Sequence, residues 1–208
     1  MVPSLRPGAA VRRGGAPGGT LGAILERGGV AYGLSCAHVL TGAGPGVPGA
    51  AILDGSSRRV GSLVAASPLD FAGGANTHDV GAFRLGEGVP FDAAIPGLGV
   101  PRLEEPFTPE LGLAVAMCGR GGLREGRVVA LRHDVWVDLP YGSARFEGLV
   151  VVEGAKGAFS RPGDSGALVL DPATCRPLGL LVGGQGSISM VAPLILETLD
   201  LPGFVHIR

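Results

Sequence analysis

The sequence predicts an all-β fold, built as barrels or a sandwich from many short strands. Three observations carry this. Apolar residues make up 46% of the 208-residue chain against 17% charged, enough to bury a sizeable core in one domain or in two small halves. Glycine (38) and proline (17) together exceed a quarter of the residues. The glycines sit between short apolar runs, where they supply the positive φ angles of tight turns. Those runs recur at regular spacing with turn signals between them, without the long helical patterns of alternating β-α units.

The elements follow in chain order. Met1 to Gly19 is rich in Gly, Pro and Arg and is expected to be a flexible arm. Leu21 to Leu25 and Val30 to Ser35 predict a hairpin around Glu26-Arg27-Gly28-Gly29. Ala50 to Leu53 and Arg58 to Val64 predict a second hairpin at Asp54-Gly55, and Val80 to Leu85 a further strand. The stretch from Gly86 to Pro109 is dense in Gly, Pro and acid and reads as a crossover between halves. The division expected is 20–95, a linker at 96–110, and 111–208. In the second half, strands are predicted at Leu113–Met117, Gly126–Leu131, Val135–Leu139, Gly148–Val152, Ala167–Leu170, Leu178–Val182 and Ser187–Val191. Ala192 to Leu199 is the one helical candidate, with Leu194, Ile195 and Leu199 as its apolar positions.

Composition narrows the function. A net charge of −1 and a pI near 6.4 give no basic field, so nucleic acid is not an expected partner. No apolar run approaches the roughly 18 residues of a spanning helix, so no membrane partner is expected. Residues 1–19 lack the apolar segment of a secretory signal, which predicts a cytoplasmic protein, or a secreted one if a signal or propeptide has been removed. Three cysteines, Cys36, Cys118 and Cys175, do not make a disulfide framework and read as small buried residues. With no CxxC or HxxxH spacing, neither a metal nor another cofactor is expected.

The chemistry concentrates at Arg161-Pro162-Gly163-Asp164-Ser165-Gly166-Ala167. Here a serine between small residues precedes a strand. The backbone N–H groups of Gly163 and Ser165 can point into one concavity and form an oxyanion hole, placed where charge appears as a carbonyl turns tetrahedral. A serine hydroxyl is a weak nucleophile, so it needs a base, and the base needs an orienting group. His38, read as the end of an apolar strand, is the candidate base; Asp79, just before a strand, is the candidate acid. Asp70 and Asp92 are rival third members, and Cys36, two residues before His38, raises a Cys/His alternative. Asp164 reads as a shaper of the nucleophile loop through backbone hydrogen bonds. His78 is expected to face away from the partner of Asp79, since neighbours on an extended chain point opposite ways. His133 and His206 read as surface residues.

The order His…Asp…Ser, with Ser35-Cys36-Ala37-His38, Asp79-Val80-Gly81-Ala82 and Gly163-Asp164-Ser165-Gly166, resembles the trypsin-like, chymotrypsin-fold serine proteases over roughly residues 19–191. Gly19-Thr20-Leu21-Gly22 and Leu34-Ser35-Cys36-Ala37-His38-Val39-Leu40 are most similar to bacterial intracellular-type relatives. The resemblance implies two six-stranded antiparallel barrels packed face to face, with the site in the crevice between them and a short C-terminal helix. It implies a serine endopeptidase with His38, Asp79 and Ser165 as its triad. It places the pocket base at Phe159 and Ser160 and the opposite wall at Val182, Gly183 and Gly184. No acid stands at that base, so a small or apolar side chain is the expected preference. A protein or peptide is the implied substrate. With no Ile-Val-Gly-Gly start, control is expected from tight specificity or from a regulatory protein partner. An esterase on the same triad, or a silent binding module that kept it, remain as alternatives.

Overall fold

The computed structural model describes residues 3–42, 44–103 and 107–199. The first half is one seven-stranded sheet in the order β2-β1-β5-β6-β8-β4-β3. Its strands are β1 (Ala10–Arg13), β2 (Gly19–Thr20), β3 (Ala23–Arg27), β4 (Val30–Ser35), β5 (Ala51–Asp54), β6 (Arg59–Ala66) and β8 (Gly81–Leu85). All the pairings are antiparallel. The two ends of this sheet, β2 and β3, are joined through Leu21 and Gly22 alone, so the chain itself closes the curl. Phe83 fills the centre. An added Cβ at Gly61 would stand 2.7 Å from its ring and one at Gly33 closer still, so the two flanking strands carry glycine where the ring lies.

The second half is a seven-stranded sheet in the order β10-β9-β12-β13-β14-β11-β7, closed by pairing of β10 with β11. Its strands are β7 (Ala75–Asn76), β9 (Ala114–Gly119), β10 (Gly122–Leu139), β11 (Gly142–Gly154), β12 (Leu168–Leu170), β13 (Pro177–Gln185) and β14 (Ile188–Pro193). Six strands thus form a closed barrel, with β7 added in parallel to the outside of β11. Closure removes most of the exposed edges that so many strands would otherwise offer. The two-barrel architecture expected from the resemblance is the one observed.

Four expectations are corrected. The arm expected over residues 1–19 is ordered where described: β1 is an interior strand between β2 and β5, Val11 is fully enclosed, and Leu5 is buried. Glycine and arginine content concealed one well-placed apolar residue in a strand whose other side chains are partly exposed. Second, His38 does not end a strand. Strand β4 stops at Ser35, and Ala37–Thr41 forms a short helix, α1, entered through Cys36. Third, the strands expected at Gly126–Leu131 and Val135–Leu139 are one bulged strand, β10, in which Arg132 takes a positive φ of 53°. Fourth, the C-terminal helix is absent over its described residues. Val191, Ala192 and Pro193 are claimed by β14 through pairing with Leu181, Leu180 and Gly179. What remains is a single 3₁₀ turn, Leu196–Leu199, which buries Leu196 and Leu199.

The cores follow the barrels. Leu21, Leu34, Leu40, Ile52 and Phe83 centre the first. Met117, Val128, Val152, Phe159 and Leu181 centre the second. A third cluster, with Val137, Leu139, Phe146 and Val182, lies under the far part of the β10–β11 hairpin.

Candidate active site

Pairing between β4 and β8 sets the candidate acid beside the candidate base. Ser35 lies opposite Gly81, so Asp79, two residues before Gly81, meets the first turn of α1, where His38 stands. The His38 ring Nδ1 and Asp79 Oδ2 are 2.5 Å apart, and the His38 backbone N–H donates to Asp79 Oδ1 at 3.1 Å. Both residues are buried, at 3% and 1% exposure. Burial acts to raise the Asp79 pKa. The charge of His38, the hydrogen bonds from its ring and backbone, and the Cys36 thiol outweigh it and hold the carboxyl below its ordinary value. The carboxylate thus stays ionised and keeps the Nδ1 proton on its side of the ring, leaving Nε2 as the free nitrogen.

The loop that carries Ser165 is held peptide by peptide. The Asp164 N–H donates to Arg161 O (3.0 Å) and the Ala167 N–H to Asp164 O (2.9 Å). The Thr20 N–H donates to Ser165 O (2.7 Å) and the Gly166 N–H to Leu181 O (2.8 Å). The Thr20 hydroxyl donates to Gly163 O at 2.8 Å. The Asp164 carboxylate, itself buried, accepts from the backbone N–H groups of Arg120 and Arg161, both at 2.9 Å, which is the loop-shaping role expected of it. Among the described residues, the N–H groups of Gly163 and Ser165 are left without a protein acceptor. Gly163 has φ +94° and Gly166 φ +93°, and an added Cβ at 166 would stand 2.5 Å from Thr20 O. Glycine is required at both positions.

The Ser165 hydroxyl donates to Val182 O at 2.9 Å, away from the imidazole. It nevertheless shares one cleft of about 500 Å³ with His38. Gly163, Ser160, Arg161, Val182, Gly183 and Gly184 line the same cleft. Phe159 does not: it is fully enclosed in the second core and packs over Gly126, where a Cβ would stand 2.8 Å from its ring. The reason is alternation along an extended segment, in which Ser160 faces the cleft and its neighbour faces the core. The Ser160 hydroxyl is 2.8 Å from that of buried Ser189, and a Cβ at Gly184 would collide with both.

The sequence reading missed several of the contributing residues. Pro17, Gly18 and Val39 form one wall of the cleft, and Asp138, Leu139 and Pro140 at the tip of the β10–β11 hairpin form another. Thr20 anchors the Ser165 loop through Gly163 O and Ser165 O; its motif, Gly19-Thr20-Leu21-Gly22, is visible in the sequence but carries no role there. The rivals do not reach the site. Exposed Asp70 caps its own loop at the Ala72 N–H, and Asp92 accepts from the Ala94 N–H and pairs with Arg6. His78 is half-buried with Nδ1 unpaired, and His133 is exposed; His206 lies outside the described residues.

All three cysteines are free. Burial and the Asp79 charge raise the Cys36 pKa well above its ordinary value, so this thiol is not poised as a nucleophile. Cys36, His38 and Asp79 have ligand-type atoms within 4.8 Å of one another, the one such set among the described residues. The Cys36 sulfur, His38 Nδ1 and both Asp79 oxygens are engaged in hydrogen bonds.

No protein-family model matches the chain, and no curated protein does. Solved structures do. Thermobifida fusca protease A is 18% identical, with 92% of each chain covered and a TM-score of 0.64. A Cellulomonas bogoriensis chymotrypsin is 21% identical, covering 94% of this chain and 95% of that one, at 0.64. A Nocardiopsis protease is 17% identical over 95% and 97%, at 0.66. At such identities the likeness shows the fold: a double barrel of the kind found in bacterial chymotrypsin-fold serine proteases.

Proposed function

We propose that the chain is a serine endopeptidase with Ser165 as nucleophile, His38 as general base and acid, and Asp79 as the orienting carboxylate. One observation carries the reading. A buried His–Asp pair, a serine hydroxyl and two unclaimed backbone N–H groups meet in one cleft. The hydroxyl turns about χ1 from Val182 O to His38 Nε2, a change between staggered rotamers. His38 takes its proton as the oxygen attacks the carbonyl carbon and a C–O bond forms. The developing oxyanion is held by the N–H groups of Gly163 and Ser165. His38 then protonates the leaving amine as the C–N bond breaks, and water releases the acyl group by the reverse proton path. Asp79 holds the imidazole in one tautomer and stabilises the imidazolium, without itself taking the proton.

The substrate chain lies against the edge formed by Val182, Gly183 and Gly184, which offers main-chain hydrogen bonds of low sequence preference. The side chain before the scissile bond enters beside Ser160 and the two glycines. No acid stands among these residues, and a small side chain is the preferred one. Labelling of Ser165 by a fluorophosphonate, lost in Ser165→Ala, tests the chemistry, and absence of labelling overturns it. Faster turnover of ester than of amide substrates at saturation, with no amide cleaved at all, would transfer the proposal to an esterase. Proteome-wide cleavage mapping against Ser165→Ala tests the preference; a profile dominated by Arg or Lys refutes it.

A further inference from the structure

The Asp79 carboxylate is enclosed and has two oxygens with roughly four lone-pair positions. The two N–H groups that reach it both belong to His38, one from the backbone and one from the ring. A carboxylate held by one residue alone can pivot with that residue. The Cys36 sulfur offers a second support. It lies within 4.8 Å of the ligand atoms of both His38 and Asp79, and all three residues are buried. On its other side the sulfur stands 3.2 Å from Leu181 O, in β13 of the second barrel, and in this geometry its S–H donates to that carbonyl. The Cys36 backbone also lies directly behind the nucleophile loop, where a Cβ added at Gly166 would stand 3.1 Å from the Cys36 nitrogen. The sulfur therefore stands where the acid–base pair, the nucleophile loop and a strand of the opposite barrel converge.

We infer that Cys36 is a positioning residue whose S–H turns from Leu181 O to donate to the Asp79 carboxylate and keeps it aligned with the His38 ring, an inference that rests on the triad reading above. The thiol has one proton and two acceptors in reach, a neutral carbonyl and an anionic carboxylate. A charged acceptor makes the stronger bond, roughly twice that of a neutral one. Burial and the neighbouring negative charge keep the group protonated, so it remains a donor. Cys36 is absent from the lining of the cleft, so its action on substrate is indirect, through Asp79.

Cys36→Ala and Cys36→Ser test this in the full chain. The first readout is the low-field proton resonance of the His38 Nδ1–H, which reports the His38–Asp79 bond whether or not the protein is active. The second is the rate of fluorophosphonate labelling at Ser165. Cys36→Ala is expected to move the resonance and slow labelling about tenfold, the loss expected for a hydrogen bond to a charged group, with Cys36→Ser restoring both. An unmoved resonance in Cys36→Ala, or Cys36→Ser behaving like Ala, overturns the inference. A third measurement covers failure of Cys36→Ala to fold. The S–H stretching band, assigned by subtracting the Cys36→Ser spectrum, is expected to rise in frequency in Asp79→Asn as its acceptor weakens. An unmoved band places the proton on Leu181 O and overturns the inference. Resonance and band shifts in these variants, alongside a wild type that is never labelled, support the inference while refuting the hydrolase reading.

Discussion

Replacing Thr20 by valine tests whether β2 positions the loop proposed to carry the nucleophile. Thr20 is fully buried, and its N–H and hydroxyl donate to Ser165 O and Gly163 O at 2.7 and 2.8 Å. Thr20→Val keeps the shape and the main-chain bond but deletes the hydroxyl donor, leaving the Gly163 carbonyl short of a partner. The net loss of one hydrogen bond is about 1 kcal/mol, rising towards about 2 where the acceptor finds no replacement. For a chain of this length that corresponds to a fall in Tm of roughly 2–8 °C. The functional effect should be larger than the stability effect suggests. The freed carbonyl and the oxyanion-binding N–H flank one α-carbon at φ +94°, where a glycine turns easily. Losing an oxyanion donor outright costs about 10²–10³ in rate, so a loosened one should cost roughly 10- to 100-fold. Urea melts and fluorophosphonate labelling rates measure the two effects, with Thr20→Ser as the control that retains the hydroxyl. Labelling within about twofold of wild type, despite a measured loss of stability, would refute the reasoning and show that the loop is held by its own contacts.

Three other outcomes are expected. Asp79→Asn should lower turnover at neutral pH by roughly 10⁴-fold, because the amide no longer selects the productive imidazole tautomer. Its carboxyl is held below the ordinary value, so the stability it contributes is present above about pH 4 and is lost as pH falls through the lower folded value. Acid titration of the unfolding free energy should therefore be shallower in Asp79→Asn by up to one proton. Cys36 runs the other way: its pKa is raised by burial and by Asp79, so its contribution is complete below the ordinary value of 9.0 and declines as pH rises above it. Cys36→Ser should flatten the alkaline loss, seen in denaturant midpoints, by as much as about 1.4 kcal/mol per pH unit. Asn76→Ala removes three hydrogen bonds, from its Nδ2 to Asp70 O and Arg145 O and to its Oδ1 from the Asp70 N–H. It should cost about 2–4 kcal/mol in urea unfolding.

Much of this was legible in the sequence, for identifiable reasons. β4 was placed to the residue because Val30 to Ser35 is an apolar run that follows directly on a Gly-Gly turn. Ser165 and its loop stood out because Gly-Asp-Ser-Gly follows Ala37-His38 and Asp79-Val80 in the order His…Asp…Ser. The failures share a cause, which is that the deciding contact is distant in sequence. α1 is five residues long, too short for periodicity to show. β1 and β7 are held by partners about 40 and 70 residues away and carry little pattern of their own. Phe159 was assigned to the pocket by alignment to a motif, whereas the one-residue alternation of an extended segment turns it into the core and Ser160 into the cleft. Cys36 was read as a small buried residue, which it is. Its neighbour Asp79 could not be known until β4 and β8 were paired.

The bond between Thr20 and Gly163 spans 143 residues. On a ribosome adding about 5–20 residues per second, the first of these partners waits roughly 7–30 s for the second to be made. During that interval the nascent chain can assemble the first barrel with its His38–Asp79 pair, but it has no hydroxyl for that pair to activate and no loop for Thr20 to hold. On the proposed reading, the order of synthesis thus acts as a delay, which keeps the candidate site incomplete until the second barrel has emerged.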